Sequence, residues 1–269
     1  MQRGLNKYHF NQLFLILNFL VLAGCIRIFF ELDITLGFAQ LGLFLLICLS
    51  LHYSMNAIHQ ASHQLLSKDR GWNKALGHLA SIITGLSYSE FALSHSLHHR
   101  FQGQKLKDPD YSVTHSSNLW LLPFQIWRKD LWFFQNKLYL KNNAWRGYCL
   151  DRIIQILLVL TIFVLPGRLE VFSIWLFAVL VVGFFNGLFL FYFPHYSTTW
   201  ETINRARKKI SVPAKLGLLA INISRFYHEW HHNQIQNNQH YFPVENFLYK
   251  KFFETPAKLD WTSKYLHQK

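Results

Sequence analysis

Cysteine is scarce in this sequence, and its three positions, Cys25, Cys48 and Cys149, are far apart. They offer neither a disulfide framework nor a cysteine metal site. Acidic residues are also few, 14 against 27 basic residues. Because no internal repeat, low-complexity tract or interdomain linker interrupts the chain, we expect a single domain over residues 1–269.

Long apolar runs dominate what is present, and hydrophobic residues make up 51% of the chain. Runs 13–30, 34–58 and 171–194 are each long enough to cross about 30 Å of hydrocarbon as a helix. Run 153–166 is shorter, but only a short segment separates it from the next run, which predicts a helical hairpin. We therefore predict an all-α integral membrane protein with about four transmembrane helices in two hairpins and a cytoplasmic helical cap.

Basic residues are placed unevenly relative to these spans. If both termini lie on one side of the membrane, 24 of the 27 Lys and Arg residues lie on that side, all except Arg27, Arg152 and Arg168. This asymmetry follows the positive-inside rule and predicts a bacterial inner-membrane protein with cytoplasmic termini. It accounts for the net charge of +13 without nucleic-acid binding, for which we find no recognisable module.

Fifteen histidines are present, and nine of them fall in four short motifs. One motif ends the second predicted span, a single histidine ends the last span, and two motifs lie in cytoplasmic segments. All four therefore meet the membrane from the same side. The nine are His59 and His63 in HQASH, His95, His98 and His99 in HSLHH, His195 in FPH, and His228, His231 and His232 in HEWHH.

Helical spacing gives these motifs a chemical meaning. Positions i, i+3 and i+4 of a helix lie within one sector of about 100°, so each motif presents its imidazoles on one face. Neutral imidazole binds iron, zinc, copper and nickel. Nine converging histidines exceed the three protein ligands of a catalytic zinc site, so we predict two metal ions held by all nine.

The last motif has a second interpretation. His228, Glu229 and His232 form H-E-x-x-H, a zinc motif whose glutamate is the general base of metallopeptidases. That interpretation leaves His231 and the other motifs without a role. A carboxylate-bridged di-iron bundle is also disfavoured, because it needs paired E-x-x-H motifs. A membrane zinc peptidase and a non-catalytic metal-binding membrane protein stay open as alternatives from other classes.

The order of the motifs resembles that of the membrane fatty acid desaturase superfamily over residues 52–250. Residues 73–124 look most like its carotenoid β-ring hydroxylase branch, where a G-H-A-S-like stretch precedes the second histidine box and Asp-Pro-Asp follows it. The first box is H-x-x-x-H, shorter than is usual in acyl desaturases, and Glu229-Trp230 departs from the hydroxylase third box. The matching residues are Gly77 to Ser81, Asp108 to Asp110, and Pro194 with His195.

This resemblance implies a non-haem di-iron centre that uses O2 to hydroxylate or desaturate a lipid hydrocarbon. The first substrate it implies is a β-ring carotenoid, and the second is a fatty acyl chain. Neither a cytochrome b5-like H-P-G-G motif nor a rubredoxin-like cysteine pair is present. We therefore expect electrons from an external donor such as a ferredoxin.

Three acidic residues near the second motif are candidates for supporting the ligands. Asp108 and Asp110 are placed to hold a ligand imidazole by its second nitrogen, although a turn around Pro109 explains them equally well. Glu90 lies five residues before His95 in a mostly apolar segment.

Two further segments bear on the architecture. Segment 75–93 must not cross the bilayer, because it would separate the first two motifs, so we expect it to dip into the membrane or to lie under the cap. The stretch that follows the second motif combines tryptophans with basic residues, as in helices at the membrane interface. These residues are Trp120, Trp127, Trp132 and Trp145 with Arg128, Lys129 and Lys137.

The remaining histidines lack a metal-ligand pattern and are expected to be structural. His52 shares a helical face with His59 and is the one candidate for a supporting role among them. They are His9, His52, His78, His115, His240 and His267.

Overall fold

The computed structural model describes residues 7–31, 37–140, 144–164 and 168–192, and within these ranges all regular structure is helical. The predicted all-α class is confirmed. A π-helical turn at Gly187–Tyr192 follows the last helix. The helices are α1 (Lys7–Glu31), α2 (Phe38–Ser62), α3 (Arg70–Ser81), α4 (Tyr88–Phe101), α5 (Tyr111–Thr114), α6 (Leu122–Gln135), α7 (Ala144–Val164) and α8 (Arg168–Asn186), with single 3-10 turns at Leu119–Leu121 and Leu138–Leu140.

Three of the described helices are long and apolar enough to cross a membrane, namely Phe38–Ser62, Ala144–Val164 and Leu169–Asn186. The helix α1 packs along α2, and α7 packs along α8, as expected for two hairpins. However, the apolar part of α1, Leu15–Ile28, is shorter than the roughly 20 residues that a span needs. The protein is thus an integral membrane protein, and its first span stays a prediction.

The helix α2 is central and packs against α1, α3, α4 and α8. Its contacts include hydrogen bonds between helices, which meet little competition from water inside a bilayer. Asn18 of α1 donates to the carbonyl of Ser50 (3.1 Å) and to the hydroxyl of Ser54 (2.9 Å). His52 Nδ1 lies 2.7 Å from Asn186 Oδ1 of α8. These bonds fix the helix whose last turn carries the first histidine motif.

Segment 75–93 turns back on itself between α3 and α4, and neither of these helices is among the candidate membrane spans. The helices α3 and α4 form a hairpin, and the hydroxyl of Ser87 caps α4 by accepting from the backbone N–H of Glu90 (3.3 Å). Within the turn, Gly85 has φ +71°, a conformation that glycine adopts without strain. The reversal lets α4 pack against α2 and brings the ends of the two helices together.

Two spanning helices hold this hairpin turn. The buried carboxylate of Asp151 on α7 lies 2.6 Å from His78 Nδ1 and accepts from the hydroxyls of Ser81 (3.1 Å) and Ser87 (2.7 Å). On α8, the indole N–H of Trp175 donates to a backbone carbonyl of the turn (2.8 Å). The start of α4 is therefore anchored from both sides.

The helix α6 and the 3-10 turn before it form part of the cap. Trp120 and Phe124 are exposed, whereas Leu122 and Phe133 are buried, which agrees with a helix at the membrane interface. Lys129 of the same helix is only 5% exposed, because it contacts a partner inside the protein, described below.

Candidate metal centre

The ends of α2 and α4 bring four histidines together. His59 lies in the last turn of α2 and His63 directly follows that helix, while His95 and His99 lie one turn apart on α4. One ring nitrogen of each histidine lies within 4.8 Å of the other three. Because both pairs are spaced i, i+4, each helix presents its two rings on one face. The first two predicted motifs therefore meet at one point.

His95 lies at the centre of this group. Its Nε2 is 3.0 Å from His63 Nε2 and 2.9 Å from His99 Nε2. A ring nitrogen carries either one proton or one lone pair in the ring plane, so His95 Nε2 can make one good hydrogen bond but not two. A cation at the point where the nitrogens converge satisfies all of them at once.

With metal–nitrogen bonds of about 2.1 Å, neighbouring ligands of one ion lie about 3.0–3.4 Å apart. The separations of 2.9 and 3.0 Å at His95 are close to that range. The histidines are therefore near enough to one another to share a metal ion.

Burial keeps two of these histidines, His63 and His95, in the neutral form that binds metal. It lowers the pKa of His63 to about 4. At His95, burial and then the neighbouring His59 and His99 hold the pKa well below its ordinary value. At neutral pH these rings therefore offer a lone pair without first losing a proton.

His98 belongs to the same box but lies behind the four-nitrogen group. It is fully buried, and its ring centroid lies 6.0 Å from that of His95. Its Nδ1 is 2.8 Å from Asp108 Oδ1 and 3.6 Å from Asp110 Oδ2. A carboxylate on Nδ1 leaves Nε2 as the ligand atom. Asp108 thus contacts His98 as predicted, whereas Asp110 lies beyond hydrogen-bond distance of this ring. The support of a metal ligand stays a prediction for both aspartates.

Asp108 also organises the loop that follows α4. Its Oδ2 accepts from the backbone N–H of Gly103 (2.8 Å), and its Oδ1 accepts from that of Asp110 (2.8 Å). Burial acts to raise the pKa of Asp108, but the bonds from His98 and from these N–H groups outweigh burial and lower the pKa overall. The carboxylate therefore does more than form a turn around Pro109.

Glu90 lies two turns before His98 on the buried side of α4. It is 1% exposed, and its Oε1 has no hydrogen-bond partner among the described residues. Burial is the main cause that raises the pKa of Glu90 to about 8. The charge of Lys129 acts to lower this pKa by a smaller amount, and the charge of Asp130 acts to raise it by a smaller amount still. The carboxyl group therefore keeps its proton at neutral pH. Its predicted support of the ligands stays a prediction.

Two residues that the sequence analysis did not assign to the site pack behind the second box. The ring of Phe91 stacks on that of His95, with centroids 5.3 Å apart and an interplanar angle of 19°. Lys129 of α6 pairs with Asp110, with 2.6 Å between Nζ and Oδ1. Nothing in the sequence around Lys129 distinguishes it from the exposed Arg128, so only the packing of α6 against α4 and α5 identifies it.

Five of the nine predicted ligands are described, and the remaining four lie outside the described residues with Glu229. His52 and His78 are hydrogen-bonded to Asn186 and Asp151 and lie apart from the cluster, as expected of structural histidines. The four ligands outside the described residues are His195, His228, His231 and His232.

Together these features define an all-helical membrane protein with a histidine cluster suited to a metal ion. The sequence model of the family described as Fatty acid desaturase matches residues 36–243, well over half of the chain. The protein therefore belongs to the fatty acid desaturase family and is a lipid oxidoreductase of the desaturase and hydroxylase type. No curated protein and no solved structure matches the sequence.

Proposed function

We propose that the protein uses O2 and a non-haem di-iron centre to hydroxylate or desaturate a lipid hydrocarbon. The observation that carries the proposal is the convergence of His59, His63, His95 and His99 at one point. Four nitrogens do not complete even one six-coordinate ion. The full set of nine, which also includes His98, His195, His228, His231 and His232, is large enough for two.

Two bound irons would supply the redox chemistry that O2 and an unactivated C–H bond require and that no side chain offers. The residues of the chain hold and shield that centre. Asp108 fixes His98 by its Nδ1, and Phe91 covers one face of His95. Because the centre lies where the spanning helix α2 ends, we infer that a lipid chain reaches it from the membrane.

The overall reaction defines the partners. Hydroxylation uses one O2, two electrons and two protons and releases one water, whereas desaturation also removes two hydrogens from the lipid and releases two waters. We therefore propose an external electron-transfer protein, such as a ferredoxin, as the donor. The distribution of basic residues supports placing the site and both termini in the bacterial cytoplasm, at the inner membrane.

The substrate is proposed from the sequence. The i, i+4 spacing of His59 and His63, together with Asp108-Pro109-Asp110, supports hydroxylation of a β-ring carotenoid as the first candidate. The family match supports an acyl chain as the second. Supplying β-carotene and a labelled acyl lipid separately to the reduced enzyme, followed by mass spectrometry, tests both. A +16 Da carotenoid product supports the first candidate, and a −2 or +16 Da acyl product supports the second.

The metal content of protein purified without chelating resin or added metal tests the di-iron proposal directly. We expect about two irons per chain, and His63→Ala and His99→Ala should each lower that number. His115→Ala is the matched control, because His115 is exposed and lies outside the cluster. About one zinc per chain, unaffected by His99→Ala, would contradict the proposal.

A zinc peptidase built on His228, Glu229 and His232 makes the opposite predictions. His231→Ala should abolish lipid oxidation by a di-iron enzyme but spare a peptidase. Glu229→Gln should abolish a peptidase but spare lipid oxidation. A protein that stays fully active when strictly metal-free would contradict both catalytic proposals.

A further inference from the structure

Lys129 is a buried cation next to an exposed one on α6. It is 5% exposed, whereas the adjacent Arg128 is exposed. Its ammonium group lies 2.6 Å from Asp110 Oδ1 and 5.1 Å from the centroid of the Phe91 ring. Burying an ammonium group is costly unless it is paired, so the contact with Asp110 explains why Lys129 points inward.

Both partners of Lys129 lie directly behind histidines of the second box. Asp110 Oδ2 is 3.6 Å from His98 Nδ1, and the ring of Phe91 stacks on His95. One side chain on α6 thus contacts the supports of two predicted ligands on α4. We propose that Lys129 is a positioning residue that holds the second histidine box in its metal-binding arrangement. This inference rests on the proposed function, because it takes His95 and His98 as ligands.

The charges around His98 explain why a cation is needed at this place. His98 Nδ1 faces two carboxylates, and Asp108 already accepts at 2.8 Å. The second carboxylate, on Asp110, is fully buried and needs its own counter-charge. Lys129 supplies that charge and draws Oδ1 away from the ring. Without Lys129, the Asp110 carboxylate would lose its counter-charge and its fixed place beside His98, so the loss of either residue leaves Asp108 alone to orient the ring.

A positioning role and a purely structural role predict different outcomes. If Lys129 only attaches α6 to the rest of the protein, its loss lowers stability and leaves iron binding unchanged. If it acts through Asp110 on His98, its loss weakens iron binding, and the effects of changing Lys129 and Asp110 are not additive. Iron retention measured beside unfolding distinguishes the two.

The experiment is a double-mutant cycle on the full-length protein in detergent. It compares wild type, Lys129→Met, Asp110→Asn and the double variant, with Arg128→Met as the matched control on the same helix. Iron per chain is measured over a series of chelator concentrations, and the unfolding temperature of each metal-free protein is measured in parallel. The double variant removes both buried charges together, so it is expected to fold even if Lys129→Met does not.

We expect each single variant to lose half of its iron at a chelator concentration about 10- to 100-fold lower than wild type does, as is typical when support of a ligand is removed. The double variant should resemble the single variants, because both residues act through one contact. Arg128→Met should match wild type.

Three results would overturn the inference. The first is that Lys129→Met retains iron like wild type while its unfolding temperature falls. The second is that the double variant retains iron like wild type. The third is that the loss of iron binding in the double variant equals the sum of the losses in the two single variants. Failure of the proposed function itself is a separate result, because wild type would then bind no iron that depends on His63 or His99.

Discussion

Replacing Glu90 with glutamine should make the protein more stable at neutral and alkaline pH. Glu90 is 1% exposed and its Oε1 has no partner among the described residues, so burial raises its pKa from 4.5 to about 8. The folded protein therefore binds this proton more tightly than the unfolded chain does. The contribution of Glu90 to the free energy of unfolding is fully present below its unfolded pKa of 4.5. It is lost as pH rises through its folded pKa of about 8.

The size of the effect follows from the shift. One pKa unit corresponds to about 1.4 kcal/mol. The wild-type protein therefore loses about 3 kcal/mol between pH 4.5 and 7 from Glu90 alone, and about 4 kcal/mol by pH 8. Glutamine has nearly the same shape and no charge to bury, so the variant does not suffer this loss.

The assay is the free energy of unfolding of both proteins in detergent, measured from pH 4.5 to 8.5. The informative quantity is the difference between variant and wild type, because the shifted histidines, His63 and His95, contribute equally to both and cancel. Any pH-independent cost of the glutamine amide displaces the whole curve without changing its slope. A difference that stays constant across this range, or that falls as pH rises, would refute the reasoning.

Two further predictions concern the α3–α4 hairpin. At Gly77, an added Cβ would lie 2.6 Å from the ring of Tyr88 and 2.9 Å from the Cβ of Ala61, so Gly77→Ala should destabilise the protein by about 1–3 kcal/mol. The control Gly42→Ala has nothing within 4 Å of the new Cβ, and equal unfolding of the two variants would contradict the close packing. In Asp151→Asn, an amide group faces the donors that contact the carboxylate in the wild-type protein. The free energy of unfolding from denaturant titrations should therefore fall by about 1–3 kcal/mol. A change below about 0.5 kcal/mol would mean that the turn is held mainly by other contacts.

The sequence alone was sufficient for the class of the protein and for the pairing of histidines within each box. Apolar runs long enough to span a membrane predict helices, since a lipid environment requires every backbone group to be satisfied locally. The i, i+4 spacing of His59 with His63 and of His95 with His99 puts each pair on one face wherever a helix forms. These properties depend on residues a few positions apart, so they can be read without the fold.

The tertiary structure decided how those local units combine. The hairpin reversal at Gly85 brings His63 Nε2 to 3.0 Å from His95 Nε2, although the two residues are 32 positions apart. The packing of α6 against α4 and α5 turns Lys129 inward to Asp110 and leaves the neighbouring Arg128 exposed. The physical reason is that burial and charge pairing depend on which helices pack together. Periodicity and hydropathy describe one helix at a time and contain no information about its neighbours.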